Sequence, residues 1–430
     1  MDLRKILLPH LSKERLLLLC VLSLSAGLVS IISVLYSEIF IYAADMAENR
    51  FINNTNTIFL LVPVCFLVAA YLCKIFAKNA DGGGPDHVFA AIKKLSKNDH
   101  NIDKLDAKEY LSLRIILVKF FSSIICIFGG GALGREGPIV QMAASVFYII
   151  GQKTKRFLPP IDLRIWIIIG GSTGIAAAFN TPLAAIIFAV EELSIFKFEQ
   201  KFYNFRASTL FTIIVAGVTA QFLTGSYILF SAPKIDFVFN SDIYLIIIIA
   251  IICGIMAWIL KIILNKFKKW RDLASNKSWY LFPLLAAAIV SLTSFYFGLH
   301  SFGSGSKTIV EVLHNKTAIL TNADFFSKFI NVIATTASGA AGGLLIPSMT
   351  LGAGVAAIIS HIFHFTGDSR ILATSGMAAF LSAILNAPIT AAVLVLEVTN
   401  QRELILPLFL STLVASYIYH HLEDLYSIKM

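Results

Sequence analysis

Charge is what this sequence has least of: Asp, Glu, Lys and Arg make up 14% of 430 residues, against about 25% in ordinary soluble domains. No charged or polar tract is long enough to form a soluble domain beside the apolar ones. Cysteine is nearly as sparse. Cys20, Cys65, Cys73, Cys126 and Cys253 lie in or at the edge of apolar runs, without metal-ligand spacing. That excludes a disulfide scaffold and leaves them as small core residues. The net charge of +9 is not gathered into a basic domain, which argues against nucleic acid as a partner. The first apolar run lacks a small-residue cleavage pattern and continues into Glu38, so it reads as a retained helix rather than a signal peptide.

Apolar residues fill the space that charge leaves. The sequence is 57% hydrophobic with a mean hydropathy of +0.78. Uncharged runs recur throughout, among them Leu16 to Tyr36, Ile165 to Val190, Ile243 to Leu260, Trp279 to Leu299 and Leu404 to Tyr419. Each approaches or exceeds the roughly 20 residues that span a hydrocarbon core. The expected fold is an all-α polytopic membrane protein, one membrane transport domain over residues 1–430. Basic residues gather in short connections such as Lys266, Lys268, Lys269 and Arg271, near Arg4 and Lys5, and between Lys197 and Arg206. These segments are assigned to the cytoplasmic face.

Several apolar runs are interrupted. Ile165 to Val190 contains Gly170, Gly171 and Gly174, then Asn180-Thr181-Pro182; Ile371 to Leu396 contains Gly376, then Asn386-Ala387-Pro388. The register is shared, since 386 − 180, 388 − 182 and 397 − 191 all equal 206, so each Asn-x-Pro precedes an apolar helix and a glutamate, Glu191 or Glu397. Upstream, Gly130, Gly134 and Pro138 match Gly339, Gly343 and Pro347 at an offset of 209. Two related halves with broken helices, here about 57–200 and 278–400, mark a transporter with its site near the midplane. Glu191 and Glu397 themselves read as structural carboxylates satisfied by backbone groups.

Three segments combine a glycine-rich approach, a proline and a following helix: Asp81 to Pro85, Gly134 to Pro138 and Gly342 to Pro347. Helix N-termini that converge within a membrane present N–H groups and partial positive charge to an anion without a fixed full charge. Glu136, between two apolar stretches and just before Pro138, needs a reason to be there. A carboxylate at such a helix start acts as a tethered anion that competes with a free one, which is the logic of a gate.

GREGP at 134–138, GGLLIP at 342–347, the Asn-Thr-Pro-Leu…Glu-Glu helix at 180–192 and Leu425-Tyr426-Ser427 together resemble the CLC chloride channel and transporter family. The resemblance covers nearly the whole membrane domain, in order. It implies two inverted repeats of tilted and broken helices, about sixteen in all, and a homodimer with a separate path in each subunit. It implies that Glu136 is the external gating glutamate and Glu192 the internal proton-transfer glutamate. The anion-binding set it implies is Gly82, Gly83, Arg135, Gly137, Leu344, Leu345 and Tyr426, the last by its hydroxyl. It implies no organic cofactor and no metal.

The sequence departs from the family at two places. The usual Gly-Ser-Gly-Ile-Pro is replaced by Asp81-Gly82-Gly83-Gly84-Pro85, so Gly82 stands where the anion-coordinating serine hydroxyl belongs. Asp81 reads as a cap for the helix opening near Pro85, the alternative being a carboxylate that repels anions at the inner entrance. With four residues following Tyr426, the terminal helix and nucleotide-binding domains of many relatives are not expected here.

The function expected is exchange of chloride or a similar monovalent anion for protons, in a bacterial inner membrane, by a protein that is not an enzyme. The alternative is a passive gated anion channel in which Glu192 is vestigial. A distant third is an intramembrane serine hydrolase built on Ser172 of the GxSxG at 170–174, with a base from His361, His364, His420 or His421.

Overall fold

The computed structural model describes residues 13–96, 107–158, 161–195, 206–225, 227–237, 243–274 and 278–428. Among them it forms sixteen α-helices and no strand. The first eight are α1 (Lys13–Asn53), α2 (Ile58–Phe76), α3 (Pro85–Ser96), α4 (Leu113–Phe128), α5 (Glu136–Thr154), α6 (Leu163–Phe179), α7 (Pro182–Ile195) and α8 (Arg206–Thr224). The second eight are α9 (Ile243–Leu273), α10 (Leu281–Phe297), α11 (Ser306–His314), α12 (Asn322–Ala337), α13 (Leu345–Ile362), α14 (Ser369–Leu385), α15 (Pro388–Thr399) and α16 (Ile405–Ile428).

Helix by helix the second set repeats the first. α5 packs on α6 as α13 packs on α14; α2 pairs with α4 as α10 pairs with α12; α1 lies on α8 as α9 lies on α16. The sequence shows why. Asp162 and Asp368 each cap the next helix, accepting the N–H of Arg164 at 2.8 Å and of Arg370 at 3.1 Å. Asn180 and Asn386 each end it with φ of 58° and 59°, a left-handed conformation that asparagine tolerates. Pro182 and Pro388 then open the following helix, where the absent N–H costs nothing. Each interrupted apolar run of the sequence is therefore two helices.

The layers follow from what each face touches. Among the described residues six helices are long and apolar enough to cross a membrane, and the outer ones turn large apolar side chains outward: Leu24, Leu60, Phe222 and Leu406 are all exposed. Water would not tolerate such a surface and lipid does, so the protein is an integral, multi-pass membrane protein. α6 is buried along its whole length, and α13 nearly so. Small residues make this possible: a Cβ on Gly352 of α13 would lie 2.0 Å from the carbonyl oxygen of Gly376 on α14.

The halves are clasped at their broken helices. Glu397 of α15 accepts the N–H groups of Leu183 (3.2 Å) and Ala184 (2.8 Å) at the start of α7. Glu191 of α7 accepts those of Ile389 (3.2 Å) and Thr390 (2.9 Å) at the start of α15, with the Thr390 hydroxyl at 2.6 Å. Each glutamate satisfies the orphan donors of the other half's helix, the structural role its position suggested. Short helices of 12 and 9 residues, α3 and α11, are too short to cross a bilayer, so their N-terminal loops end inside the protein.

Candidate functional site

The three Gly–Pro segments meet. Gly134 and Gly343 exchange both of their backbone hydrogen bonds at 2.8 Å. Gly82 donates its N–H to Ala340 O and accepts from Gly342 N, both at 3.0 Å. The halves also trade side-chain support, since Ser122 accepts the Ala341 N–H and Thr335 accepts the Ala132 N–H, both at 3.0 Å. The segments approach closely at glycine: a Cβ on Gly84 would fall 2.2 Å from Gly137 O, and one on Gly137 2.7 Å from Gly83 O and 2.8 Å from Gly343 Cα. Backbones approach this closely only where no side chain intervenes. Gly82, Gly83, Arg135, Gly137, Leu344 and Leu345 are thereby brought into one cluster.

Two long buried helices start at this junction. Arg135 and Leu344 occupy the capping positions of α5 and α13, and neither offers a side-chain acceptor to the helix it precedes. Pro138 and Pro347 lie in the first turns, so the donors of each helix start face the cluster. The electrostatics suit a small anion.

Glu136 is the first residue of α5 and is fully buried. Its Oε1 faces Arg135 Nε at 3.4 Å, while Oε2 has no hydrogen-bond partner. That unpartnered oxygen is tucked over the backbone, 2.6 Å from where a Cβ of Gly134 would be. On its other side Glu136 and Arg135 line a cavity of about 600 Å³, walled by Phe40, Leu229, Phe230 and Phe302. Its rim is charged: Lys307 bridges Asp45 (3.0 Å) and Glu48 (2.6 Å), and His300 stands by Glu311 (3.2 Å) and Asp324 (3.1 Å). A buried carboxylate short of partners, between a vestibule and a set of helix starts, is costly to hold charged and stands out from the rest of the core.

The Gly82 N–H is spent on Ala340 O, and no atom lies within 4 Å of where its Cβ would be. Its φ of +59° is the left-handed region. Asp81 does not cap α3. Its carboxylate pairs with Arg271 of α9 and with His87 Nε2 at 3.2 Å, because a buried carboxylate gains more from a cation than from a helix start.

Two residues of this region escaped the sequence reading. Lys119 of α4 is wholly buried and donates to Gly82 O (2.8 Å) and Asp81 O (3.3 Å). Lys328 of α12 does the same for Gly303 O (2.6 Å) and Phe302 O (3.2 Å) ahead of α11. The signal was present: 328 − 119 is 209, the offset of the glycine match, and each lysine is followed by phenylalanine in an apolar run.

The remaining site residues lie elsewhere. Glu192 is 4% exposed, near the far end of α7, with no hydrogen-bond partner among the described residues. Tyr426 is the exception to the convergence, on the last turn of α16 with its ring edge to face on Trp258 (6.0 Å). α16 contains no glycine and its only proline, Pro407, sits in the first turn, so nothing breaks the helix to send Tyr426 toward the loops. Ser172 is buried within α6 and donates its hydroxyl to Ile168 O (2.8 Å), within its own helix.

The sequence profile described as voltage gated chloride channel matches residues 64–420. Solved structures share the fold. A slow cyanobacterial Cl-/H+ antiporter superimposes with a TM-score of 0.79 at 22% identity, over 94% of this chain and 94% of that one. A CLC-type fluoride/proton antiporter gives 0.76 at 20%, over 95% and 98%, and a eukaryotic CLC transporter gives 0.75 at 18%, over 95% and 73%.

Proposed function

Because this chain belongs to the voltage gated chloride channel family, we propose that it exchanges chloride or a similar monovalent anion for protons across the membrane. Glu136 is the observation that carries the reading: fully buried, with one carboxylate oxygen unpartnered, between the vestibule and the starts of α5 and α13. Charged, the carboxylate occupies the place of the anion. Protonated, it leaves, and the proton and the anion travel on opposite strokes. A second buried carboxylate, Glu192, without a hydrogen-bond partner among the described residues, supports exchange over passive conduction, since a passive path has no use for it. Two of the structures that share this fold are described as antiporters, one of chloride and one of fluoride. The anion is bound by the helix starts, with Gly83, Arg135, Gly137, Leu344 and Leu345 around it. Gly82 supplies room, and Tyr426, packed on Trp258 at the end of α16, stands apart from this set. The protein works as a homodimer in a lipid bilayer, a bacterial inner membrane, with one path per subunit.

The experiment is flux in liposomes. A chloride gradient drives protons uphill in the wild type. Glu136→Gln retains anion flux but moves no protons, because the amide neither carries a proton nor competes as an anion. Glu192→Gln stops proton movement while anion binding persists. Uphill proton transport by the Glu136 variant refutes the assigned gate, and unchanged proton flux in the Glu192 variant refutes the internal relay.

A further inference from the structure

A second carboxylate–guanidinium pair stands beside the converging loops, outside the vestibule that Glu136 lines. Asp81 immediately precedes Gly82, and its side chain is 12% exposed. One carboxylate oxygen accepts from Arg271 Nη2, and the other faces His87 Nε2. Arg271 comes from the basic end of α9. Its Nη1 points to Thr336 O and Ala337 O, at 3.4 and 3.5 Å, in the last turn of α12. One guanidinium thus spans the loop of the first half and a helix end of the second. Just beyond, Lys78 and Asp272 form an ion pair (3.0 Å) whose side chains are largely exposed, so this face meets solvent close to the pair.

The arrangement parallels the outer one, where Glu136 faces Arg135. In both places a carboxylate on a glycine-rich loop is tethered beside an arginine. At Gly82 there is open space within reach, and the Lys119 ammonium holds the Asp81 and Gly82 carbonyls from the other side. A buried ion pair is a poor source of net stability, because desolvation offsets its attraction. Its position therefore calls for another account.

We propose that Asp81 and Arg271 form an inner gate: the Asp81 carboxylate occupies the Arg271 guanidinium while the path is empty, and a small anion arriving from the basic face displaces it. Arg271 is then an internal anion-binding residue, and Asp81 is its tethered competitor. The proposal rests on the anion-exchange reading above. It sets, in place of a hydroxyl at Gly82, the guanidinium that the adjacent Asp81 carboxylate holds.

Reconstituted protein tests it with four variants, read by chloride flux, by protons moved per chloride, and by chloride binding in titration calorimetry. Asp81→Asn frees Arg271, so chloride binds about fivefold or more tightly and fewer protons move per chloride, because the inner gate no longer closes. Arg271→Ala leaves Asp81 unopposed at the path, and flux falls about tenfold or more. The double variant recovers most of that loss, and Arg271→Lys, which keeps the charge, loses little. A purely structural pair gives the opposite pattern: every variant loses thermal stability while chloride affinity and protons per chloride stay at wild-type values. That outcome overturns the gate. Should Arg271→Ala not fold, Asp81→Asn decides alone, and an unchanged proton-to-chloride ratio overturns the proposal. A wild-type protein that moves no anion refutes the exchange reading instead, so the two failures are distinct.

Discussion

The reciprocal clasp between α7 and α15 offers the most quantitative test of how the halves are held. Glu397→Ala removes two hydrogen bonds to backbone N–H groups of Leu183 and Ala184 and leaves those donors without the carboxylate at a helix start. Each hydrogen bond to a charged group is worth about 1.5–3 kcal/mol. Water that reaches the vacated site recovers part of this, so the loss comes to about 3–5 kcal/mol. Glu397→Gln keeps one acceptor but turns an amide donor toward the second N–H, for a loss of about 1–2 kcal/mol. Glu191→Ala is the mirror experiment and costs at least as much, because Thr390 contributes a third bond. The double variant loses less than the sum, since either change already loosens the same α7–α15 contact. The assay is the unfolding temperature in detergent, by fluorescence-detected chromatography, with a fall of about 5 °C or more for each alanine variant. Anion flux through the surviving folded protein stays near wild type. Single alanine variants that melt with the wild type, or that fold normally yet lose transport, refute the clasp as a structural device.

Gly82→Ser lowers the unfolding temperature because the left-handed φ of +59° costs a serine about 1–2 kcal/mol. The hydroxyl enters open space and shifts preference from nitrate toward chloride by up to about tenfold; a flat ratio in paired flux measurements removes Gly82 from the anion path. At Asp368, partial burial raises the carboxyl pKa, but bonds from the Arg370 guanidinium and main chain outweigh it and hold the group below the usual carboxylate range. A depressed pKa contributes stability that is present above the unfolded pKa and lost as pH falls through the folded one. Asp368→Asn is therefore less stable than wild type at neutral pH, and the gap between their melting curves closes below about pH 4. A gap that persists in acid rejects the ion pair as its source.

Much of the fold was written locally. Apolar run lengths bound the spans, Asn180 and Asn386 with Pro182 and Pro388 break them, and the offsets of 206 and 209 relate the halves. These features are legible because helix stops, proline starts and apolar stretches act over a few residues, where chain order and spatial neighbourhood coincide. The cross-capping by Glu191 and Glu397 was half legible: two glutamates in register suggested backbone partners, but only packing put each on the other half's helix. Gly82, Asp81 and Tyr426 show where sequence reading ended. A motif position does not say whether an N–H is already committed to Ala340, whether Arg271, 190 residues away, arrives to claim a carboxylate, or whether a helix runs on past the turn that would aim its tyrosine inward. The burial of Lys119 and Lys328 against loop carbonyls belongs with these. Sequence determined what each segment was able to be; which donors and charges were left over for an anion was decided only when the segments packed, because hydrogen bonds and ion pairs are shared between partners far apart in the chain.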